Sequence, residues 1–358
     1  MPPKEDPVKP TIAQWILDTR SWFPEATQTK HLETCASRAL SLLPPATLPS
    51  ILRYYHLRDA KMALASALLK HYAVSKLSPM PTPWSRTVRV GFTRDARTKP
   101  VYADPDMGGG EGGGRDVWFN VSHQAGIVAI VAVAGYHDQS PGKEGKGEGE
   151  EGKGVVEVGV DVVCTSERRA RDHETINSKD GNGGGGGDGG GGWNGFVDMH
   201  AEVFSPGEVS YLKHRVLSAV PGLLPPSPTV EQVADAKLRA FYALWALREA
   251  YVKLTGEALL AKWLPELEFR NFRPPKPTKG WDVPAREEEG EVVTDIEIWF
   301  RGKRVEDVNM CLRSMGQDYM IATAVRTPGR KEDGLGWELR AYEVLELEEV
   351  LDFAEKSG

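Results

Sequence analysis

Charged side chains that could take part in binding or catalysis interrupt two apolar segments of the sequence. Asp161 stands inside "VGVDVV", two residues after Gly159. A carboxylate in such an apolar strand is costly to bury unless it pairs with a cation or binds a metal. Glu249 and Lys253 stand four residues apart in "FYALWALREAYVKLTGEALL", so they share one face of a predicted helix. The sequence therefore offers two carboxylates and one lysine for a possible polar site.

Each of these features also has a plain structural interpretation. Asp161 could end a strand and form a turn, and Gly159 could serve only to let a backbone or a ligand come close. Glu249 and Lys253 could be an exposed helix pair, which is worth about 0.2–0.5 kcal/mol.

The first part of the chain contains a group of cationic side chains and one histidine. Arg58 and Lys61 share a face near the start of a predicted helix, and "RDARTKP" spans residues 94–100. Such cations suit a phosphate, although a solvated basic face is an equally simple explanation. Ser122 and His123 in "FNVSHQ" are not a catalytic dyad, because adjacent residues of an extended chain point to opposite sides. Their place after an apolar strand still suits a ligand, and a packed histidine is the alternative.

Two carboxylates, several cations and one histidine together fit a magnesium–pyrophosphate site. Oxygen ligands hold Mg²⁺, substrate phosphates complete its shell, and cations neutralise the remaining phosphate charge.

The hydrophobic pattern predicts strands and helices in both parts of the chain. The main predicted strands are "TIAQWILDTR", "FNVSHQ", "IVAIVAVAG", "VVEVGVDVV", "TDIEIWFRG", "YMIATAVRT" and "WELRAYEV". The main predicted helices cover residues 52–74 and 231–255 and the closing segment "LEEVLDFAEK".

Two low-complexity segments interrupt this pattern, at residues 139–154 and 178–195. They contain almost nothing that could be buried, so we expect disordered loops there. The last of them matches G-x-G-x-x-G, but no strand leads into it, and we interpret it as a flexible linker.

Composition excludes several classes of protein. The 358-residue chain has a net charge of −7, which argues against general nucleic-acid binding. Its three cysteines are odd in number and far apart, so neither a zinc site nor a disulfide framework is expected. The apolar run at residues 127–135 is too short to span a bilayer, and no leader peptide is visible. We therefore expect a cytoplasmic protein with no membrane partner.

Several short motifs follow one another in a characteristic order. They are "LRDAKM", "RTKP", "FNVSHQ", "VGVDVV", "FSPGE" and "WALREAYVK". In this order the set resembles the 4′-phosphopantetheinyl transferases, specifically the large surfactin-synthetase-activating type in its fungal version. The most specific marks are Gly159-Val160-Asp161 and the segment from Trp245 to Lys253, and the resemblance covers about residues 11–326.

The resemblance implies a fold, a reaction and partners. The fold would be α+β, with two similar halves related by a pseudo-twofold axis, at residues 11–154 and 155–358, and an active site in the cleft between them. The reaction would move phosphopantetheine from coenzyme A to a serine of an apo acyl or peptidyl carrier protein, with Mg²⁺ required and 3′,5′-ADP released. The carriers could belong to fatty acid, polyketide, nonribosomal peptide or lysine biosynthesis. The protein would act as a monomer.

The resemblance also assigns residues by position. Asp161 and Glu249 would bind Mg²⁺, with Gln124 joining them directly or through water, and Glu249 is the candidate base. Lys253 would contact the phosphates, and Arg248 could do so too. The coenzyme A contacts would be Arg58, Lys61, Arg94, Lys99, Pro100, Asn120, Ser122 and His123, with Arg58 and His123 near the adenosine 3′-phosphate.

One position departs from the bacterial pattern G-[IV]-D-[IV]-E, because Val163 replaces the second acid. The number of metal ligands therefore stays open. Two rival interpretations also remain: a non-catalytic carrier-binding module of the same fold, and another Mg²⁺-dependent nucleotide enzyme such as a pyrophosphohydrolase. The second usually carries a dense carboxylate cluster, which the sequence lacks.

Overall fold

The computed structural model describes most of the chain. The described residues are 10–77, 84, 90–92, 100–102, 117–136, 156–178, 192–219, 224–257, 261–277, 290–328 and 330–358, with the backbone alone for 90–92, 100–102 and 219. Arg94, Lys99 and the low-complexity segments at 108–115 and 139–154 lie outside these residues.

The first part of the chain alternates helices with long strands. Its elements are β1 (Thr11–Asp18), α1 (Leu32–Cys35), α2 (Ser37–Ser41), α3 (Leu48–Leu52), α4 (Leu57–Leu77), β2 (Val90–Phe92), β3 (Pro100–Tyr102), β4 (Val117–Gln124) and β5 (Ile127–Ala134).

The second part contains one long helix between groups of strands. Its elements are β6 (Glu157–Cys164), α5 (Arg169–Asn177), α6 (Trp193–Asp198), α7 (Pro206–His214), α8 (Val216–Ala219), α9 (Val230–Thr255), β7 (Leu267–Arg270), β8 (Val292–Val293), β9 (Glu297–Phe300), β10 (Lys303–Val305), β11 (Asn309–Met315), β12 (Tyr319–Arg326), α10 (Lys331–Leu335), β13 (Glu343–Leu345) and α11 (Leu347–Ser357). Short 3-10 turns lie at Thr29–His31, Ala201–Val203 and Leu264–Glu266.

Three sheets organise the described strands. The first has the order β13-β1-β5-β4-β3-β2, the second β6-β12-β11-β8 and the third β10-β9-β7. All pairings in the first two sheets are antiparallel except β1 with β13. The α+β class expected from the resemblance is therefore confirmed.

The two larger sheets stack between two helices. Alternate residues of β5 face α4, as Val128 and Ile130 do, whereas Ile127 and Val131 face the second sheet. In the second sheet, Val160 and Val162 meet this interface, and α9 packs against the other face. Burial on both faces explains why the sequence of β5 is apolar throughout.

Defined caps set the length of α9. Thr229 and Gln232 form a capping box at its start, which satisfies backbone N–H groups of the first turn. Gly256 ends the helix with φ = 77°, a conformation that a residue with a Cβ rarely adopts. The predicted helix at 231–255 agrees with this range.

The last elements of the chain, within the predicted second half at residues 155–358, pack against the first part of the chain. β13 pairs with β1, and Val350, Leu351 and Ala354 of α11 join the core beside α4. Arg38 also pairs with three acidic residues of α11, which are Glu348, Asp352 and Glu355. The last elements of the chain therefore complete the first half.

The predicted disordered insert at 178–195 is too long. Trp193 is 8% exposed, its indole N–H donates to the Leu212 carbonyl at 2.7 Å, and α6 starts at this residue. Residues 179–191 lie outside the described part of the chain. The pattern-based assignment also missed β11 and the helices α1–α3, and it made the strand at "WELRAYEV" longer than the observed β13.

Candidate active site

Asp161, Ser122 and Lys253 form one hydrogen-bonded group where the two larger sheets meet. The Lys253 ammonium donates to Asp161 Oδ1 at 2.6 Å and to Ser122 Oγ at 2.9 Å. The Ser122 hydroxyl donates to the same Asp161 oxygen at 2.9 Å. Burial raises the pKa of Asp161, and the charge of Lys253 offsets part of this effect. The plain interpretation of Asp161 as a strand-end turn residue does not fit, because it lies within β6 and is 6% exposed.

Gly159 allows α9 to approach β6 closely enough for this group to form. A Cβ atom at this position would lie 2.0 Å from the Ala250 carbonyl oxygen and 2.7 Å from the Leu254 nitrogen. These backbone atoms belong to the last turns of α9, and helix backbone cannot yield as a flexible side chain does. The glycine is therefore needed for the backbone of α9, which carries Glu249 and Lys253.

Glu249 is the second carboxylate of the site. It is half-buried, and the described residues offer its carboxylate no hydrogen bond or ion pair. Burial and the nearby charge of Asp161 raise the pKa of Glu249 from 4.5 to about 7, against the opposing effect of Lys253. Perturbed carboxylates of this kind concentrate at functional sites, and an exposed helix pair would not show such a shift.

Side chains of β4 also bind the free edge of β6. The N–H groups of Val160, Val162 and Cys164 donate to the side chains of Asn120, Ser122 and Gln124 at 3.2, 3.2 and 3.0 Å. Because side chains and N–H groups of a strand both repeat every two residues, three consecutive bonds form in register. These bonds occupy positions where another strand would otherwise pair. Asn120, Ser122 and Gln124 thus join the two larger sheets, a role that the sequence did not suggest.

His123 lies on the opposite face of β4 from these three side chains. It is exposed, but the surrounding protein lowers its pKa by desolvation, assisted by the charges of Lys253 and Lys70 and opposed by Asp59. The ring is therefore mainly neutral near pH 7 and lies among cations. This environment agrees with an anionic ligand better than with a histidine packed in the core.

Arg58 reaches across to the second half of the chain. Its guanidinium pairs with Glu167 Oε1 at 2.8 Å, while the Gln124 amide donates to Glu167 Oε2 at 2.7 Å. The Gln124 carbonyl is already bound by the Cys164 N–H, and no contact with Asp161 or Glu249 is present among the described atoms.

Two cations predicted to bind phosphate lie elsewhere. Arg248 is 1% exposed, pairs with buried Glu208, and donates to the carbonyls of Leu264 and Leu267 at 2.6 and 2.9 Å. The Lys61 ammonium donates to the Trp22 carbonyl. In this structure neither side chain joins the group around Asp161, because each is bound to partners in a different part of the packing.

Most of the remaining predicted coenzyme A contacts lie outside the part of the chain that the structure describes. Arg94 and Lys99 lie outside the described residues, and Pro100 contributes only the backbone at the start of β3. Val163 is 3% exposed and packs in the apolar cluster around α9, so the position that carries an acid in the bacterial pattern lies in the core.

Asp161 and Glu249 are chemically suited to a divalent cation. Mg²⁺ sites in enzymes commonly use one or two carboxylates and leave the other positions to water and substrate phosphates. Burial is the main cause of the raised pKa of Glu249, and the charge of Asp161 adds to it, a repulsion that a bound cation would relieve. The part of the chain that the structure describes has no group of three or more His, Cys, Asp or Glu residues placed to hold a metal. A metal here would therefore depend on two protein carboxylates.

Glu167 and Lys70 escaped the sequence analysis. Glu167 lies in the polar turn after β6, where "TSERRARD" gives no periodic signal, and Lys70 is one of several cations along α4. A cavity of about 530 Å³ also exists near Thr165, Arg169 and Arg239, but it contains none of the site residues.

Comparison with known proteins assigns the class of this chain. A model of the N-terminal domain of 4′-phosphopantetheinyl transferases matches residues 21–135, and one of the 4′-phosphopantetheinyl transferase superfamily matches residues 157–288. The 4′-phosphopantetheinyl transferase 1 of Fusarium mangiferae is 43% identical over 98% of this chain and 97% of its own length. The 4′-phosphopantetheinyl transferase A of Aspergillus fumigatus is 33% identical over 89% of this chain and 84% of its own length.

A third relative extends the agreement. The 4′-phosphopantetheinyl transferase of Aureobasidium melanogenum is 33% identical over 87% of this chain and 90% of its own length. The chain therefore belongs to the 4′-phosphopantetheinyl transferase family and is an enzyme. Among the described residues, none of the helices is both long and apolar enough to cross a bilayer.

Proposed function

We propose that the protein transfers the 4′-phosphopantetheine group of coenzyme A to a serine of apo acyl or peptidyl carrier proteins, with Mg²⁺ bound by Asp161 and Glu249 and release of 3′,5′-ADP. Family membership supports phosphopantetheinyl transfer and coenzyme A as the donor. The main structural support is the group of Asp161, Glu249, Lys253 and Ser122 at the junction of the two halves.

Different residues of the chain would carry out different parts of the transfer reaction. Attack of a serine hydroxyl on phosphorus needs removal of its proton and neutralisation of charge on the phosphates. Without a bound cation the pKa of Glu249 is raised to about 7, and a bound cation would lower it, so that the charged carboxylate could accept that proton near neutral pH. Lys253 would exchange its bond to Asp161 for a phosphate oxygen, and Ser122 would keep Asp161 oriented.

A magnesium ion held by the two carboxylates would neutralise phosphate charge and orient the leaving group. Each carboxylate has two oxygens, so Glu249 can bind a metal through one and accept a proton at the other. His123 and Arg58, near the cleft between the halves, would contact the adenosine phosphate, and Lys70, whose charge acts on His123, would add positive charge there.

Intact-mass measurement tests the proposal directly. Incubation with an apo carrier protein, coenzyme A and Mg²⁺ should increase the mass of the carrier by one phosphopantetheinyl group. A carrier whose acceptor serine is replaced by alanine is the control, and EDTA should abolish the reaction. Failure to modify any of several carriers that bind the protein would contradict transfer and leave a non-catalytic carrier-binding module.

A further inference from the structure

Glu167 connects both halves of the protein beside the proposed coenzyme A site. One carboxylate oxygen pairs with Arg58 at 2.8 Å, and the other accepts from the Gln124 amide at 2.7 Å. Both partners come from the first half, whereas Glu167 belongs to the second. The Glu167 side chain is 19% exposed and that of Arg58 is 56% exposed. The fixed member of the pair is thus the carboxylate.

The turn that carries Glu167 is anchored on both sides. Before it, the backbone N–H and hydroxyl of Thr165 donate to the Asp318 carbonyl at 2.8 and 3.1 Å. After it, Arg169 binds Asp235 of α9 through two bonds of 2.8 and 2.9 Å. Anchors on both sides limit the movement of a short turn, so the carboxylate is presented at a defined position.

Arg58 keeps donors available while it pairs with Glu167. A guanidinium has five N–H groups in a rigid plane, and the pair with Glu167 uses one terminal nitrogen. Asp59 lies 3.7 Å from the Arg58 Nε, beyond normal hydrogen-bond distance. The exposed part of the guanidinium can therefore bind a phosphate without releasing Glu167.

We propose that Glu167 is a positioning residue that holds the Arg58 guanidinium at the cleft between the halves, ready for the phosphate of coenzyme A. The inference rests on the proposed role of Arg58 in coenzyme A binding. Fixing a long arginine side chain before the ligand arrives reduces the ordering cost of binding. A carboxylate that instead competed with the phosphate would weaken coenzyme A binding, so the two roles predict opposite effects.

Calorimetric titration with coenzyme A separates these roles. Glu167→Ala should raise the Kd about two- to fivefold, the range expected for loss of a partly exposed ion pair. Glu167→Gln retains an oxygen that can accept from Arg58, so it should bind coenzyme A almost as the wild type does. Glu266→Gln is the matched control, since Glu266 pairs with Arg301 at 2.8 Å away from the cleft. Tighter binding by both Glu167 variants would overturn the proposal.

A double-mutant cycle checks that Glu167 acts through Arg58. Arg58→Ala should weaken coenzyme A binding, and Glu167→Ala should add little in that background. Dephospho-coenzyme A, which lacks the 3′-phosphate, should bind wild type and Glu167→Ala with the same affinity if Arg58 contacts that phosphate. Additive losses, or an unchanged Kd for Arg58→Ala, would overturn the proposal. Carrier modification measured in parallel tests the proposed function separately.

Discussion

Lys253 offsets part of the cost of burying the Asp161 carboxylate. Asp161 is almost fully buried, and without a cation its charge would be expensive to maintain. Lys253 and Ser122 share one oxygen of this carboxylate. In the proposed function, the Lys253 bond would hold Asp161 in place until Mg²⁺ and substrate bind, and Lys253 would then be available to the phosphates.

Glu249→Gln should reduce kcat strongly while leaving the fold intact. The amide keeps the shape of the side chain but removes both the charge that would hold a cation and the base. We expect a loss of about a hundredfold or more, consistent with the contribution of a general base. Carrier modification at saturating coenzyme A and Mg²⁺ measures kcat, and circular dichroism checks folding. Turnover near that of the wild type would show that Glu249 is neither base nor essential ligand.

Stability in the absence of divalent cations should depend on pH through Glu249. The folded protein raises its pKa from 4.5 to about 7, so the folded state holds this proton more tightly than the unfolded chain. The resulting stabilisation is complete below about pH 4.5 and is lost as the pH rises through about 7. The Tm of the wild type minus the Tm of Glu249→Gln, measured in EDTA, should therefore decrease from pH 5 to pH 8.

Magnesium should reverse this trend. A cation binds the charged carboxylate, so added Mg²⁺ should raise the Tm of the wild type more at pH 8 than at pH 6. The same addition should have much less effect on Glu249→Gln. Equal Mg²⁺ stabilisation of the two proteins at pH 8 would count against Glu249 as a ligand.

For single residues, the sequence predicted which side chains form the polar site but not which atoms they contact. Asp161, Glu249 and Lys253 stand out because each interrupts an apolar element, and the structure brings Lys253 and Glu249 to Asp161. Arg248 interrupts the same helix, yet it pairs with Glu208 in the core. Local spacing does not reveal which face of a nearly apolar helix carries a buried ion pair.

The contact between α9 and β6 determines whether the site exists. These two elements meet at Gly159, where helix and strand backbones touch. Side chains on α9 extend towards β6 by a fixed length, so a shift of the helix axis moves Glu249 and Lys253 together. The geometry of the site is therefore a property of this pair of elements.

Gly159→Ala should impair both stability and catalysis. The new methyl group would meet the Ala250 carbonyl oxygen at 2.0 Å and must displace α9. Overpacking of this kind costs about 1–3 kcal/mol, so the Tm should fall and kcat should fall with it. Chemical denaturation and carrier modification measure the two effects.

Gly207→Ala provides the comparison. Its added methyl group would meet only the end of the Glu268 side chain, which can move aside, and its activity should stay near that of the wild type. If Gly159→Ala behaves like Gly207→Ala, the close helix–strand contact does not control the site.

Elements with a strong local pattern were predictable, and pairings between distant elements were not. The apolar run of β5 and the capped helix α9 are evident from composition and end signals. The bonds from Asn120 and Gln124 to the edge of β6 join residues 40 positions apart. Nothing in a short stretch of sequence indicates that the backbone N–H groups of an edge strand will be hydrogen-bonded by side chains from another sheet.

At the scale of the whole molecule, the described residues on either side of the 179–191 insert lie close together. A Cβ atom at Gly192 would lie 3.7 Å from the Ile176 carbonyl oxygen, so the two ends of the 179–191 segment are close together. The helices α5 and α6 also contact each other. A short connection can therefore join residues 178 and 192 without moving either helix.

Replacement of residues 179–191 by a short Gly/Ser linker should leave Tm and transferase activity nearly unchanged. The cost of loop closure depends only weakly on length, and the segment's composition offers little to bury. Extending the deletion through Trp193 should lower the Tm, because this side chain is 8% exposed and packs in the core of the second half. A large loss of activity from the shorter deletion alone would show that the segment contributes to carrier or substrate binding.

The return of β13 and α11 to the first half has a consequence for synthesis of the protein. β1 pairs with a strand whose residues lie more than 300 positions later, as Trp15 with Glu343 shows. During translation, the N-terminal half cannot follow the usual order in which the first domain finishes folding first. Its sheet stays without an edge strand, and its helix α4 without the cover of α11, until the ribosome has made residues 343–357. Premature termination anywhere in the second half would thus leave both halves incomplete.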